Sequence, residues 1–478
     1  GLGMENELKL NSGQLFTNED IPLASKIELK PSTGWTGIKG SEKFLEAEIK
    51  IDLREEEKSY YLLLGKEVSL HRSKDYSDIL TKLEKGVWSE WIKDKIDFRK
   101  EKINIAFKLK LMDYELREKR IKLFLPEVFP TEGFTHPPEL SREIVDQVAP
   151  FLEEGAYVAL NQGLVGDEEF LELIEYQDDW YAKVAKYLMK NKDWELLFLH
   201  AHGIDYAQHK YLRDFGKDNN KEENLKRVYK SADRLIGEIY KEVSDDVLFI
   251  VVSDHGATSG GNEDIDVYKI LQDAGLLSYE EPFPGLREID WEKTKAIPNR
   301  TAYIYVNLKG RDPEGSVEPE QYEKVREEII RALKGYRDSH SGESPFSFIM
   351  KKEEARILGL YGEGIGDIVY STYPEFSSEH GRQHPGAWHD VTSLESLLIM
   401  SGPGVKRNYH SPAVTFLTDI VPTICYLMDI PVPAKCEGKI ISDALLDPNL
   451  NLSRMKKLSK EREALAKAYG EYRRLTHS

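Results

Sequence analysis

Asp205 and His209 stand four residues apart in the sequence. If a helix begins here, both side chains lie on one face about one turn apart, where they can hold one metal ion. A second pair, Asp254 and His255, directly follows an apolar run over residues 247–252 and Ser253. Asp and Gly end strands and histidines cap helices for purely structural reasons. Two successive predicted strand ends that each present Asp with His nevertheless indicate a shared site.

A later segment could supply a further ligand. Residues 378–390 contain three histidines, His380, His384 and His389. A histidine-rich loop before a strand is a source of metal ligands, and a solvated loop is the alternative for each histidine taken singly. The clusters contain no cysteine, so the expected site has oxygen and nitrogen ligands suited to Zn²⁺, Mn²⁺ or Fe²⁺.

The elements around these residues predict an α/β fold. The apolar runs over 194–199 and 247–252 are typical of strands buried on both faces. An amphipathic helix is expected between them, over 222–243. Strands that alternate with helices predict a mostly parallel sheet flanked by helices. Ligands bind such sheets at the carboxyl ends of the strands, where the two Asp and His pairs fall.

Changes in composition and in the predicted secondary structure divide the chain into four segments. We predict a polar segment over 1–25, a β-rich insertion domain over 26–129, an α/β catalytic domain over 130–450 and a charged helix over 451–478. Four prolines in residues 126–138 mark the boundary between the second and third segments.

Composition excludes several classes of protein. The 478 residues carry a formal net charge of −18, which disfavours a nucleic-acid polymer or an anionic membrane as partner. The two cysteines form no disulfide framework and no thiolate zinc site. The sequence shows no apolar run near 18 residues and no signal peptide, so a cytoplasmic location is expected.

These motifs, and their order along the chain, resemble those of the alkaline phosphatase superfamily. Within it they are most similar to the type I phosphodiesterase/nucleotide pyrophosphatase-like branch. The resemblance rests on the Asp-x-x-x-His of Asp205 and His209, Ser-Asp-His-Gly at 253–256, Glu-His-Gly at 379–381, Ser-Gly-Pro-Gly-Val-Lys at 401–406 and Thr-Asp-Ile-Val-Pro-Thr-Ile at 418–424. It covers roughly residues 130–445, and Gly-Val-Trp-Ser-Glu-Trp at 86–91 is similar to a segment in the β insertion of some long members.

The resemblance implies a two-metal phosphoryl-transfer site, with zinc as the expected metal and Mn or Fe as alternatives. One ion would take Asp205, His209 and a later histidine, for which His380 is preferred and His384 and His389 are the reserves. The other would take Asp254 and His255 with an Asp from an earlier strand. Two cations about 4 Å apart can stabilise the attacking and leaving oxygens of an in-line displacement.

The sequence departs from the family at its N-terminal end. Family members begin with a strand that ends in a metal-binding Asp, followed by a helix led by the Ser or Thr nucleophile. Residues 1–130 show neither feature, so the catalytic core is expected to be incomplete and the nucleophile is not visible in this chain. Thr258 and Ser259 lie near Asp254 but follow the wrong strand, which makes them loop hydroxyls. An incomplete sheet would expose an edge, so an upstream polypeptide half or a homo-oligomer is expected to cover it.

The sequence therefore predicts a metal-dependent phosphodiesterase or phosphohydrolase that acts on a small phosphorylated substrate. Two alternatives stay open: a non-catalytic or degenerate metal-binding module, and a phosphomutase-type relative. Nothing in the loop composition selects a nucleotide, a lipid head group or a sugar as the substrate.

Overall fold

The computed structural model describes residues 10, 13–38, 43–53, 56–99, 101–152, 156–257, 265–283, 286–299, 303–373, 376, 395–448 and 459–469. The chain divides into two compact units, Gly1–Glu242 and Val243–Ser478. Within the described ranges, no helix has both the length and the apolar composition that crossing a lipid bilayer requires.

The first unit opens with antiparallel β structure. Its strands are β1 (Gln14–Thr17), β2 (Ser25–Lys26), β3 (Lys30–Pro31), β4 (Leu45–Leu53), β5 (Glu56–Leu64), β6 (Val68–His71), β7 (Ile79–Leu83), β8 (Ile92–Phe98), β9 (Glu101–Phe107), β10 (Lys110–Glu115), β11 (Arg120–Leu125) and β12 (Val128–Pro130). They form sheets of order β10-β11-β1-β2, β12-β9-β8 and β3-β4-β5-β6-β7. In β4 the buried side chains of Ala47, Ile49, Ile51 and Leu53 alternate with outward-facing ones, as a sheet with one face on a core requires.

The described residues of the first unit also form five α-helices. They are α1 (Glu139–Gln147), α2 (Ala156–Asn161), α3 (Asp167–Asn191), α4 (Gly203–Tyr211) and α5 (Asn219–Tyr240). Helix α5 confirms the amphipathic helix expected over 222–243, and it packs on α3 through apolar residues that include Ile174, Leu225 and Val228. Arg227 on α5 donates to Glu175 on α3 at 2.7 Å, and this hydrogen bond lowers the pKa of the Glu175 carboxyl.

Two tryptophans join the strands of the first unit to α3. Trp88 Nε1 donates to the Glu172 carboxylate at 2.8 Å, and Trp91 Nε1 donates to the Tyr176 hydroxyl at 3.2 Å. Buried Lys110 on β10 pairs with Glu172 as well. The strands and helices of Gly1–Glu242 therefore belong to one compact unit, and the domain boundary between residues 129 and 130 stays a prediction.

The described residues of the second unit form further strands and helices. The strands are β13 (Phe249–Val252), β14 (Tyr279–Phe283), β15 (Leu286–Ile289), β16 (Ala296–Asn299), β17 (Tyr303–Val306), β18 (Phe346–Lys351), β19 (Ile368–Thr372) and β20 (Leu398–Ser401), and the helices are α6 (Val267–Asp273), α7 (Tyr322–Gly335) and α8 (Ile420–Met428). The sheet of order β16-β17-β19-β18 packs on α7 through a core that includes Ile304, Ile329 and Ile368. Residues 459–469 are helical and mostly exposed, and the expected bounds of the charged helix, 451–478, stay a prediction.

One strand prediction is wrong and a second is confirmed only in part. Residues 194–199 form no strand, and the side chains of Leu196 and Phe198 are 70% and 83% exposed. The run at 247–252 shortens to β13, which is only partly buried and pairs antiparallel with β20. An apolar run becomes a buried strand only where a neighbouring strand accepts its backbone hydrogen bonds. Among the described strands the only parallel ladder is β1–β2, so the expected mostly parallel sheet is not found there.

Candidate functional site

Helix α4 carries the first predicted pair of ligands. One face of the helix is buried: Ala207 and Tyr211 have no exposed surface, and Gly203 lies against Ile174 of α3. Asp205 and His209 are partly buried, with side chains that are 19% and 16% exposed. The sequence thus folds α4 so that its small and aromatic residues face the core while the carboxylate and the imidazole stay partly accessible.

The far end of α4 is fixed by a buried hydroxyl. Tyr211 donates its hydroxyl hydrogen bond to the carboxylate of Asp167, the first residue of α3, at 3.1 Å. Lys221 of α5 also pairs with Asp167, at 2.6 Å. Burial is the main cause that raises the pKa of Tyr211, so the hydroxyl remains a donor at neutral pH. Both ends of α4 are therefore held against α3, which fixes the direction of the Asp205 and His209 side chains.

The predicted pair comes together as the spacing requires. His209 Nε2 lies 3.5 Å from Asp205 Oδ2. Two ligand atoms at ~2.0–2.1 Å from a zinc ion, at a tetrahedral angle, stand about 3.3–3.4 Å apart. The observed separation therefore matches two adjacent ligands of one ion, and carboxylate oxygen with imidazole nitrogen is a donor set that zinc accepts.

His202, which the sequence analysis did not select, joins this pair. Its Nε2 lies 3.1 Å from the same Oδ2 of Asp205. The i,i+3 spacing of His202 and Asp205 was the visible signal, since residues three apart on a helix are neighbours as surely as residues four apart.

Asp254 and His255 form the second predicted pair, directly after β13 and Ser253. The His255 backbone N–H donates to Asp254 Oδ1 at 3.1 Å, and His255 Nδ1 lies 2.7 Å from the carbonyl oxygen of Gly256. Because a carbonyl oxygen only accepts, Nδ1 carries the proton, and Nε2 of the neutral ring is the nitrogen with a lone pair. This is the tautomer that a metal-ligating histidine needs. The side chain of Asp254 is 77% exposed and that of His255 is 38% exposed.

The remaining predicted residues cannot be placed. His380, His384 and His389 lie outside the described residues, as do Thr258 and Ser259. Among the residues that the structure does describe, no group of three His, Cys, Asp or Glu is arranged to hold a metal ion. Asp205 and His209 lie in the first unit and Asp254 and His255 in the second. Each pair thus supplies two donors, and its further ligands stay predictions.

Comparison with known proteins points to phosphoester chemistry. Two curated relatives match short stretches: GPI ethanolamine phosphate transferase 3 of Saccharomyces cerevisiae is 29% identical over 96 residues, and GPI ethanolamine phosphate transferase 2 of Kluyveromyces lactis is 31% identical over 94 residues. Each stretch covers 20% of this chain, and 9% and 11% of the respective relative. No solved structure matches the chain significantly.

The family comparison covers far more of the sequence. The model of the type I phosphodiesterase/nucleotide pyrophosphatase family matches residues 82–395, which is more than half of the 478 residues. This range contains Asp205, His209, Asp254 and His255, together with the two tryptophans that join the strands to α3. The chain belongs to the type I phosphodiesterase/nucleotide pyrophosphatase family.

Proposed function

We propose that this protein catalyses the metal-dependent cleavage of a phosphate ester by a two-metal site. The observation that carries the proposal is the Asp205–His209 pair on α4, whose 3.5 Å separation matches two ligands of one ion. Membership of a phosphodiesterase family supports the reaction class. The geometry of α4 supports Asp205 and His209 as residues that hold one ion.

In this proposal, one divalent ion is held by Asp205 and His209 with a later histidine, and a second by Asp254 and His255 with an Asp from an earlier strand. His380 is the preferred third ligand of the first ion, with His384 and His389 as reserves, and zinc is the preferred metal. When bound, the ions supply positive charge to the oxygens of the reacting phosphate. The chain's own residues neutralise the ions and hold them in place, and the Nδ1–H of His255 keeps Nε2 of that ring in its ligating form.

The attacking group belongs to the proposal as well. We infer that the hydroxyl of a Ser or Thr supplied by an upstream segment gives up its proton and attacks phosphorus, while the bond from phosphorus to the ester oxygen breaks and the alcohol leaves with a proton. The curated relatives are named as ethanolamine phosphate transferases, so the group that finally receives the phosphate can be water or another hydroxyl. Hydrolysis of a small phosphorylated substrate is the reaction to be tested first.

A chromogenic phosphodiester and the matching monoester test the proposal on the natural protein that contains this chain. Turnover that requires Zn²⁺ or Mn²⁺ and stops with a chelator is the expected result, with Asp254→Asn at least 100-fold slower. Asp245→Asn removes an equal charge from an exposed position before β13 and should leave turnover unchanged. Metal binding without turnover of either ester would favour the non-catalytic metal-binding module instead.

A further inference from the structure

The residue that directly precedes α4 has a side chain aimed at the proposed metal site. His202 is the N-cap residue of α4, yet its side chain makes no capping hydrogen bond to the helix backbone. Its Nε2 lies 3.1 Å from Asp205 Oδ2 instead. An ionised carboxylate only accepts hydrogen bonds, so Nε2 carries the proton and donates. The usual structural role of a residue at this position therefore does not account for the direction of the ring.

Aromatic contacts hold the His202 ring in this orientation. The ring stacks on Tyr206, one turn further along α4, with centroids 4.3 Å apart and planes inclined by 32°. Tyr206 in turn stacks on Tyr157 of α2, at 4.6 Å and 12°. Tyr157 contacts the fully buried ring of Phe170. A ladder of rings therefore connects His202 to the core of the first unit, and the imidazole loses little freedom when it donates.

We propose that His202 is a positioning residue for the ion held by Asp205 and His209. Its Nε2–H fixes one oxygen of the Asp205 carboxylate, so the carboxylate is already oriented before the ion arrives. The inference rests on the proposed function, because it assumes that Asp205 is a ligand. Hydrogen bonds to a ligating side chain typically contribute 10–100-fold in metal affinity, even though the donor never touches the metal.

Two substitutions separate the hydrogen bond from the stacking. His202→Phe keeps a ring against Tyr206 but removes the donor, whereas His202→Gln keeps an N–H donor and removes the ring. His200→Phe is the matched control, because the His200 ring lies 5.3 Å from that of His202 but neither ligates nor orients Asp205 in this account. The readout is the Zn²⁺ dissociation constant, measured by competition with a chromogenic chelator, alongside the thermal unfolding temperature.

His202→Phe should weaken Zn²⁺ binding 10–100-fold without lowering the unfolding temperature, and His202→Gln should recover most of that loss. His200→Phe should bind as the unchanged protein does. Unchanged affinity in His202→Phe would overturn the inference, and so would a loss as complete as that of Asp205→Asn, since His202 would then be a ligand itself. If Asp205→Asn binds Zn²⁺ normally, it is the proposed function that fails, and the two failures are thereby distinguished.

Discussion

The close contact between Gly203 and Ile174 predicts that a larger residue at position 203 destabilises the protein. A methyl group added at Gly203 would meet Ile174 Cγ2 at 2.6 Å, whereas ordinary contact begins at 3.4 Å. Ile174 is 1% exposed and belongs to the core between α3 and α5, so it has little room to move. Gly203→Ala should therefore push the first turn of α4, and Asp205 with it, away from α3.

The magnitude follows from two opposing effects. Overpacking a tight core costs about 1–3 kcal/mol. Replacing a helical glycine by alanine stabilises the helix by up to about 1 kcal/mol, and by less at the first residue of a helix. We expect Gly203→Ala to lower the free energy of unfolding by about 1–2 kcal/mol. Gly237→Ala in the last turn of α5 is the matched control, because nothing lies within 4 Å of its added methyl group. A glycine in the middle of a helix costs about 0.5–1 kcal/mol relative to alanine, so this variant near the helix end should gain up to about 0.5 kcal/mol.

Urea unfolding followed by tryptophan fluorescence measures both variants. Five of the seven tryptophans lie in residues 1–242, so the signal reports mainly on the first unit. Ile174→Ala removes the atom that clashes, so in the double variant the two costs should not add. If Gly203→Ala stabilises the protein as much as Gly237→Ala does, then α4 is not seated against Ile174 and the description of the site is wrong.

Two further predictions concern buried and partly buried carboxylates. Burial of Asp367 opposes its ionisation, but hydrogen bonds from Arg311 and Tyr322 lower its pKa below the ordinary value. Asp367→Asn should therefore cost the second unit about 2–3 kcal/mol at neutral pH, seen as faster hydrogen exchange in β17 and β19; unchanged exchange would contradict this. Lys85, and then Arg120, lower the pKa of Asp113 from 3.8 to about 2. The stability from this lowered pKa is present above about pH 4 and is lost as pH falls toward about 2. Because Lys85 is half-exposed, we expect about 1 kcal/mol, measured as the difference in urea unfolding between the unchanged protein and Asp113→Asn; a difference that does not shrink in acid would contradict it.

The sequence predicts the helices of this protein better than its strands. Helices α3 and α5 repeat apolar residues at helical spacing, and a helix satisfies its own backbone, so local pattern is sufficient. The pairing of Asp205 with His209 follows from the same local geometry. The run at 194–199 forms no strand, and the run at 247–252 forms a shorter, partly buried one, because a strand depends on partners that lie elsewhere in the chain. The sequence does not predict the role of His202, because this residue precedes α4 and the direction of its ring depends on its contact with Tyr206.

The most direct test of the central claim is the number of metal ions that the protein binds. Equilibrium dialysis against Zn²⁺, followed by metal analysis, should give two ions for the unchanged protein. Asp205→Asn and Asp254→Asn should each lose one, while Asp233→Asn, an equal change at an exposed position of α5, should lose none. Full stoichiometry in both Asp205→Asn and Asp254→Asn would contradict the assignment of the two Asp and His pairs as metal ligands.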